Sequence, residues 1–250
     1  MFSAEIGAFE VLLLATLTAL ATGLGAVPFW FYRPTRRWLG YGNAVAGGLM
    51  LAASGGLIVE GWAVGPAEVG GGVLLGALFI TASRHWLNDH DQLVVAGLRG
   101  ADARKAILLV GAMTVHSAAE GIGVGVSFGG GADLGIFISL AIAVHNIPEG
   151  LAISLVLVPR GVSALRAAGW SVFSSLPQPL LAVPAFAFVL AFRPVLPWGL
   201  GFAAGAMIWM VATELVPDAV RESGGRIPAL ATAVLSAGVM VLLQLFLKTS

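Results

Sequence analysis

The sequence predicts an all-α integral membrane protein with eight transmembrane helices and both termini on the outer side. Three observations predict it. Hydrophobic residues make up 58% of the 250 residues and charged residues only 10%, less than half the charge of an ordinary soluble domain. The apolar residues gather into eight runs, each close to the roughly 20 residues a spanning helix needs. Basic residues recur in every second connection between those runs. The connections are short, so the whole of 1–250 is expected to form a single transmembrane domain. The 34 glycines suit membrane helices, which pack through small residues.

Span 1 covers about 8–31. Its leading residues carry Glu5 and Glu10 and no basic residue, unlike a cleavable signal peptide. Span 2 covers about 40–60 and closes on Glu60. Span 3 covers about 71–87. A longer connection, about 88–103, follows and contains Asn88-Asp89-His90-Asp91, which reads as a polar loop or as a metal-handling segment. Spans 4 and 5, about 104–128 and 134–158, hold most of the buried polar chemistry. Span 6, about 165–192, contains Pro177-Gln178-Pro179 and then Pro184. Prolines around a glutamine in mid-span predict a broken helix, and broken helices in transporters often line the substrate site. Span 7, about 196–216, ends near Glu214, Pro217 and Asp218, and span 8 covers about 227–247.

Orientation follows from the basic residues. Arg33, Arg36 and Arg37 follow span 1. Arg84, Arg99, Arg104 and Lys105 surround the third connection. Arg160 and Arg166 follow span 5, and Arg221 and Arg226 follow span 7. The even connections hold Arg193 alone, and the tail holds Lys248. By the positive-inside rule the odd connections face the cytoplasm and both termini face out.

Two stretches carry the chemistry. Span 5 reads Val144-His145-Asn146-Ile147-Pro148-Glu149-Gly150-Leu151, and span 4 reads Val115-His116-Ser117-Ala118-Ala119-Glu120-Gly121-Ile122. A His and a Glu four residues apart share one helix face. A carboxylate in mid-membrane is costly unless it is paired, hydrated or bound to a cation. Together His116, Glu120, His145 and Glu149 offer two imidazoles and two carboxylates. That donor set suits Zn²⁺, Fe²⁺ or Mn²⁺ better than Ca²⁺ or Mg²⁺, which prefer all-oxygen shells. Gln178 offers a further neutral oxygen, or else a hydrogen bond between helices. Pro148 removes a backbone donor from span 5, which predicts a kink and a carbonyl freed at Val144. Metal binding needs neutral histidines and ionised glutamates, so uptake is expected to fall towards pH 5.5 as protons compete.

The same residues resemble the signatures of the ZIP (Zrt/Irt-like) family of divalent-metal transporters. His145-Asn146-Ile147-Pro148-Glu149-Gly150 is the most specific match, and His116 to Gly121 resembles its partner motif. Weaker echoes are Thr22 to Pro28, Gly48 to Ser54, Ala203 to Ile208 and Glu214 to Pro217. The resemblance implies that His116, Glu120, His145 and Glu149 ligate the transported metal. It implies that Ser117 and Asn146 occupy the second-position slots, and that Gln178 stands where bacterial members carry a Glu. It therefore implies one dominant metal position, with any second one weaker. It also implies flux towards the cytoplasm by a shift of spans 1, 4, 5 and 6 against the rest.

Other functions are disfavoured. With 13 basic and 13 acidic residues the chain lacks the excess charge of a nucleic-acid partner. There is no cysteine, hence no thiolate site. No G-x-x-x-x-G-K-[ST] or H-E-x-x-H motif occurs, and four histidines are too few for the His boxes of membrane di-iron oxygenases. The alternatives are a metal-binding membrane sensor without flux and an intramembrane metalloenzyme. The expected ligand is a transported divalent metal, Zn²⁺ first with Fe²⁺ and Mn²⁺ as alternatives, and no prosthetic group. A homodimer is compatible with the sequence. The Ala/Gly/Leu-rich composition with minimal loops fits a prokaryotic cytoplasmic membrane, in a multi-pass arrangement.

Overall fold

The computed structural model describes residues 7–32, 35–89 and 100–249. Helices account for nearly all of them, and no strand occurs among the described residues. Among the described residues eight helical segments are long and apolar enough to cross a membrane, at the positions the apolar runs predict. Span 1 is α1 (Ala8–Gly23), a 3₁₀ turn (Leu24–Ala26) and the short α2 (Pro28–Phe31). Spans 2 to 5 are α3 (Arg36–Trp62), α4 (Pro66–Asp89), α5 (Gly100–Gly130) and α6 (Ala132–Leu157). Span 6 is split into α7 (Ala164–Ser174) and α8 (Pro177–Ala191). Span 7 is α9 (Leu196–Met210), a π-helical turn (Val211–Leu215) and α10 (Val216–Ser223), and span 8 is α11 (Arg226–Thr249). His90 and Asp91 of the third connection lie outside the described residues.

Burial sorts the helices. About two-thirds of the apolar window is buried in α5 and α6, against 17% in α11 and 22% in α4. So α5 and α6 form the axis, and α4 and α11 present most of their surface outwards. α5 packs on α6, α8 and α9, while α6 packs on α1, α3 and α7. The main core cluster runs along this axis and includes Met113, Val124, Ile142, Ile153, Ala182 and Met207.

Two glycines set how closely the axis meets its neighbours. A methyl at Gly150 would run into the carbonyl oxygen of Thr22 on α1. A methyl at Gly121 would come within 2.6 Å of the carbonyl oxygen of Gln178 on α8. Each glycine follows a site glutamate in sequence, so close backbone approach occurs where α1 and α8 face the site.

The prolines behave differently in the two central spans. α6 runs unbroken through Pro148, so the proline does not produce non-helical backbone there. One lost hydrogen bond does not end a helix that is packed by neighbours along most of its length. Span 6 does break, as predicted. Ser175 and Leu176 separate α7 from α8, and Pro177 opens α8. A proline at the first helical position sacrifices no bond, because that N–H has no intrahelical partner.

Candidate metal centre

The site is built where α5 and α6 cross. His116 and Glu120 lie one turn apart on α5, and His145 and Glu149 lie one turn apart on α6. All four are at most 1% exposed. The helical spacing places each His beside its own Glu, and the tertiary packing adds pairs across the helices. His145 Nε2 makes a short hydrogen bond with Glu120 Oε1. His116 Nε2 lies 3.1 Å from Glu149 Oε1 and 3.2 Å from Glu120 Oε1. One ligand atom from each residue lies within 4.8 Å of the other three.

The donor set fits a divalent cation. Two ligand atoms of one tetrahedral Zn²⁺, each bonded at about 2.0–2.2 Å, sit roughly 3.4 Å apart, so small side-chain rotations bring the four onto one centre. Several buried polar atoms also lack hydrogen-bond partners. His116 Nε2 and Glu149 Oε1 are two of them, and they face each other within the cluster. A cation there supplies the partner both lack. Two carboxylates, two neutral imidazoles and a divalent cation sum to zero charge, which removes the cost of burying two bare carboxylates.

The other residues singled out by sequence surround this quartet. Asn146 is fully buried; its Nδ2 donates to the backbone carbonyl of Thr18 at 2.8 Å and to Gln178 Oε1 at 3.2 Å. Its Oδ1 has no hydrogen-bond partner. Ser117 is fully buried and its Oγ is likewise unpartnered. Gln178, in the first turn of α8, donates from Nε2 to Glu120 Oε2 at 2.5 Å. Its Oε1 accepts from Thr18 Oγ1 at 2.7 Å.

Thr18 is the residue the sequence reasoning passed over. It is buried on α1 and touches both Asn146 and Gln178. One turn on, Thr22 Oγ1 lies 2.8 Å from Ser175 Oγ at the break in span 6. The available signal was Thr18 and Thr22, two of the three threonines of span 1, which stand four residues apart and so share one helix face.

A cavity of about 240 Å³ is lined by residues about one helical turn from the quartet. Met113, three residues before His116, and Ala152, three residues after Glu149, line it together with Asn43, Glu214 and Asp218. Glu214 sits in the π-helical turn, with Oε1 3.2 Å from Arg84 Nε. The start of α5 and the end of α6 point this way, so the cavity lies towards the end of the bundle that carries the basic connections.

Comparison with known proteins adds an independent line. A family model described as the ZIP zinc transporter matches residues 69–245. A provisionally named zinc transporter of Arabidopsis thaliana is 48% identical over 245 residues, covering 97% of this chain and 40% of that protein. The zinc transporter ZIPB of Bordetella bronchiseptica is 34% identical over 223 residues, 82% of this chain and 69% of its own. The human zinc transporter ZIP11 is 36% identical over 160 residues, 58% of this chain and 44% of its own. The chain thus spans less than half the length of the Arabidopsis and human relatives.

Proposed function

The chain belongs to the ZIP zinc transporter family, as a multi-pass membrane protein, and from that premise we propose that it carries divalent transition metal, zinc first, across the membrane into the cytoplasm. The observation that carries the proposal is the buried quartet of His116, Glu120, His145 and Glu149, whose ligand atoms converge at the centre of the helical axis. Its relatives' names support zinc as the cargo. The mixed nitrogen and oxygen donors favour zinc over calcium or magnesium.

In this reading the four residues bind the ion directly. Asn146, Ser117 and Gln178 form the polar wall around it. The ion's hydration shell is exchanged for imidazole and carboxylate, so the loaded site crosses the low-dielectric interior without net charge. The inward direction is supported by the alternation of basic residues and by the cavity lined by Met113 and Ala152, one turn from the quartet on that side. The cavity wall carries Glu214, Asp218 and Glu222 against one cation, Arg221, though Glu214 is paired with Arg84 and Asp218 with Arg221.

The test is metal flux in proteoliposomes reconstituted with the full chain. Zinc is expected to accumulate down its gradient, with Ca²⁺ and Mg²⁺ in tenfold excess leaving the rate unchanged. Absence of flux with Zn²⁺, Fe²⁺ and Mn²⁺ alike, from protein that binds zinc in detergent, would contradict transport and favour a sensor.

A further inference from the structure

The cavity towards the basic connections has three carboxylates in its wall, Glu214, Asp218 and Glu222, and one cation, Arg221. Three bare carboxylates around one small space attract a divalent cation strongly, and a strong attraction there would hold an ion that has to leave. Two of the acids are already countered. Asp218 pairs with Arg221 three residues on. Glu214 Oε1 lies 3.2 Å from Nε of Arg84, which belongs to α4 and not to the cavity wall. That oxygen has no hydrogen-bond partner, so Arg84 holds it by charge and not by an aligned hydrogen bond. The Arg84 side chain is 40% exposed against 17% for Glu214. The guanidinium therefore returns to water at little cost once another cation takes its place.

Two further features mark this end of the cavity. Asn43 of α3 lines it, is only 4% exposed, and makes no hydrogen bond to a described residue. Its amide is thus a buried polar group facing the cavity without a partner. Glu214 itself sits in the π-helical turn, where the Val216 N–H bonds to the Val211 carbonyl five residues back. Such turns recur at functional sites.

We propose that Arg84 is a built-in counter-cation for Glu214, which keeps the inner cavity a weak, transient station for a divalent cation and not a trap. This rests on the transport reading above. A cation in the cavity reaches the Glu214 carboxylate, with the Asn43 carbonyl oxygen beside the same space, only by displacing Arg84. Arg84 takes Glu214 back as the cation leaves. Arg221 keeps Asp218 occupied throughout, so the station never presents all three acids at once.

The experiment is equilibrium dialysis of the detergent-purified full chain against zinc. Cavity zinc is counted as the difference between each protein and the same protein carrying Glu214→Gln, which leaves the quartet out of the count. Arg84→Gln and Arg84→Ala, two neutral replacements of a part-exposed side chain, are expected to bind cavity zinc at least about fivefold more tightly than the native chain. That is the Boltzmann factor for one unit charge about 4 Å from another at the dielectric of water. Arg84→Lys, which keeps the charge, is expected to keep the native affinity. In vesicles of known orientation, zinc preloaded on the face with the basic connections is expected to inhibit flux through the neutral variants at a concentration lower by the same factor. A disrupted fold does not produce a gain of binding that depends on Glu214 and is reversed by lysine. No Glu214-dependent zinc in either neutral variant, native cavity zinc as tight as theirs, or a gain in Arg84→Lys equal to theirs would overturn the proposal. Absence of native flux would remove the transport reading, while the difference in cavity zinc would still decide whether Arg84 masks Glu214.

Discussion

Burial of Glu120 and Glu149 dominates the energetics at the scale of single residues. A carboxylate in the bundle interior is tolerated through its partners: here Glu120 has His145 of the opposite helix and His116 of its own, and Glu149 has His116 of the opposite helix. Removing one member leaves another buried and unpaired, so single alanine substitutions cost more than one contact. Isothermal titration should show His116→Ala, which removes the imidazole shared by both glutamates, weakening zinc binding by at least about 100-fold. A substitution at Ser117, whose Oγ has no partner, should change it by less than about tenfold. The sequence made the four candidate ligands legible because the His-x-x-x-Glu repeat occurs twice in apolar runs. The crossed pairing was not legible, since the repeat is the same whichever helix the imidazole turns to. Thr18 was hidden for a related reason: its partners, Asn146 and Gln178, lie more than a hundred residues away.

At the scale of elements, the site depends on how closely α1 and α8 approach the axis. Gly150→Ala drives a methyl into the Thr22 carbonyl, and Gly121→Ala drives one into the backbone of Gln178. Overpacking of this kind costs about 1–3 kcal/mol, or a fall of roughly 2–12 °C in melting temperature at this chain length. Thermal unfolding in detergent measures it. Gly55→Ala, where an added methyl meets nothing within 4 Å, should melt with the native protein. The break between α7 and α8 was legible because Pro177 and Pro179 flank a polar residue in an apolar run. Pro148 carried the same local signal without the same outcome. α6 continues as helix through Pro148, packed by neighbouring helices, whereas span 6 breaks at a serine-rich turn tied to Thr22. Proline alone does not distinguish the two; the packing around it does.

For the whole molecule, the eight apolar runs mapped onto eight helical segments, because a membrane span needs a length and a composition that few other structures mimic. Sidedness rests on the basic residues alone, and the native chain has no cysteine to complicate a labelling test. In vesicles of known orientation, an impermeant maleimide should label Gly7→Cys from the outer face and Ser163→Cys only after permeabilisation. The reverse pattern would invert the transport direction argued above. The central claim is that cargo passes through the quartet on α5 and α6. Its most direct measurement is zinc flux into proteoliposomes for the native chain beside Glu149→Ala, with equal reconstitution verified. The account predicts robust native flux and a loss of at least about 100-fold in the variant. Native-like flux from Glu149→Ala would place the metal's route elsewhere and contradict it.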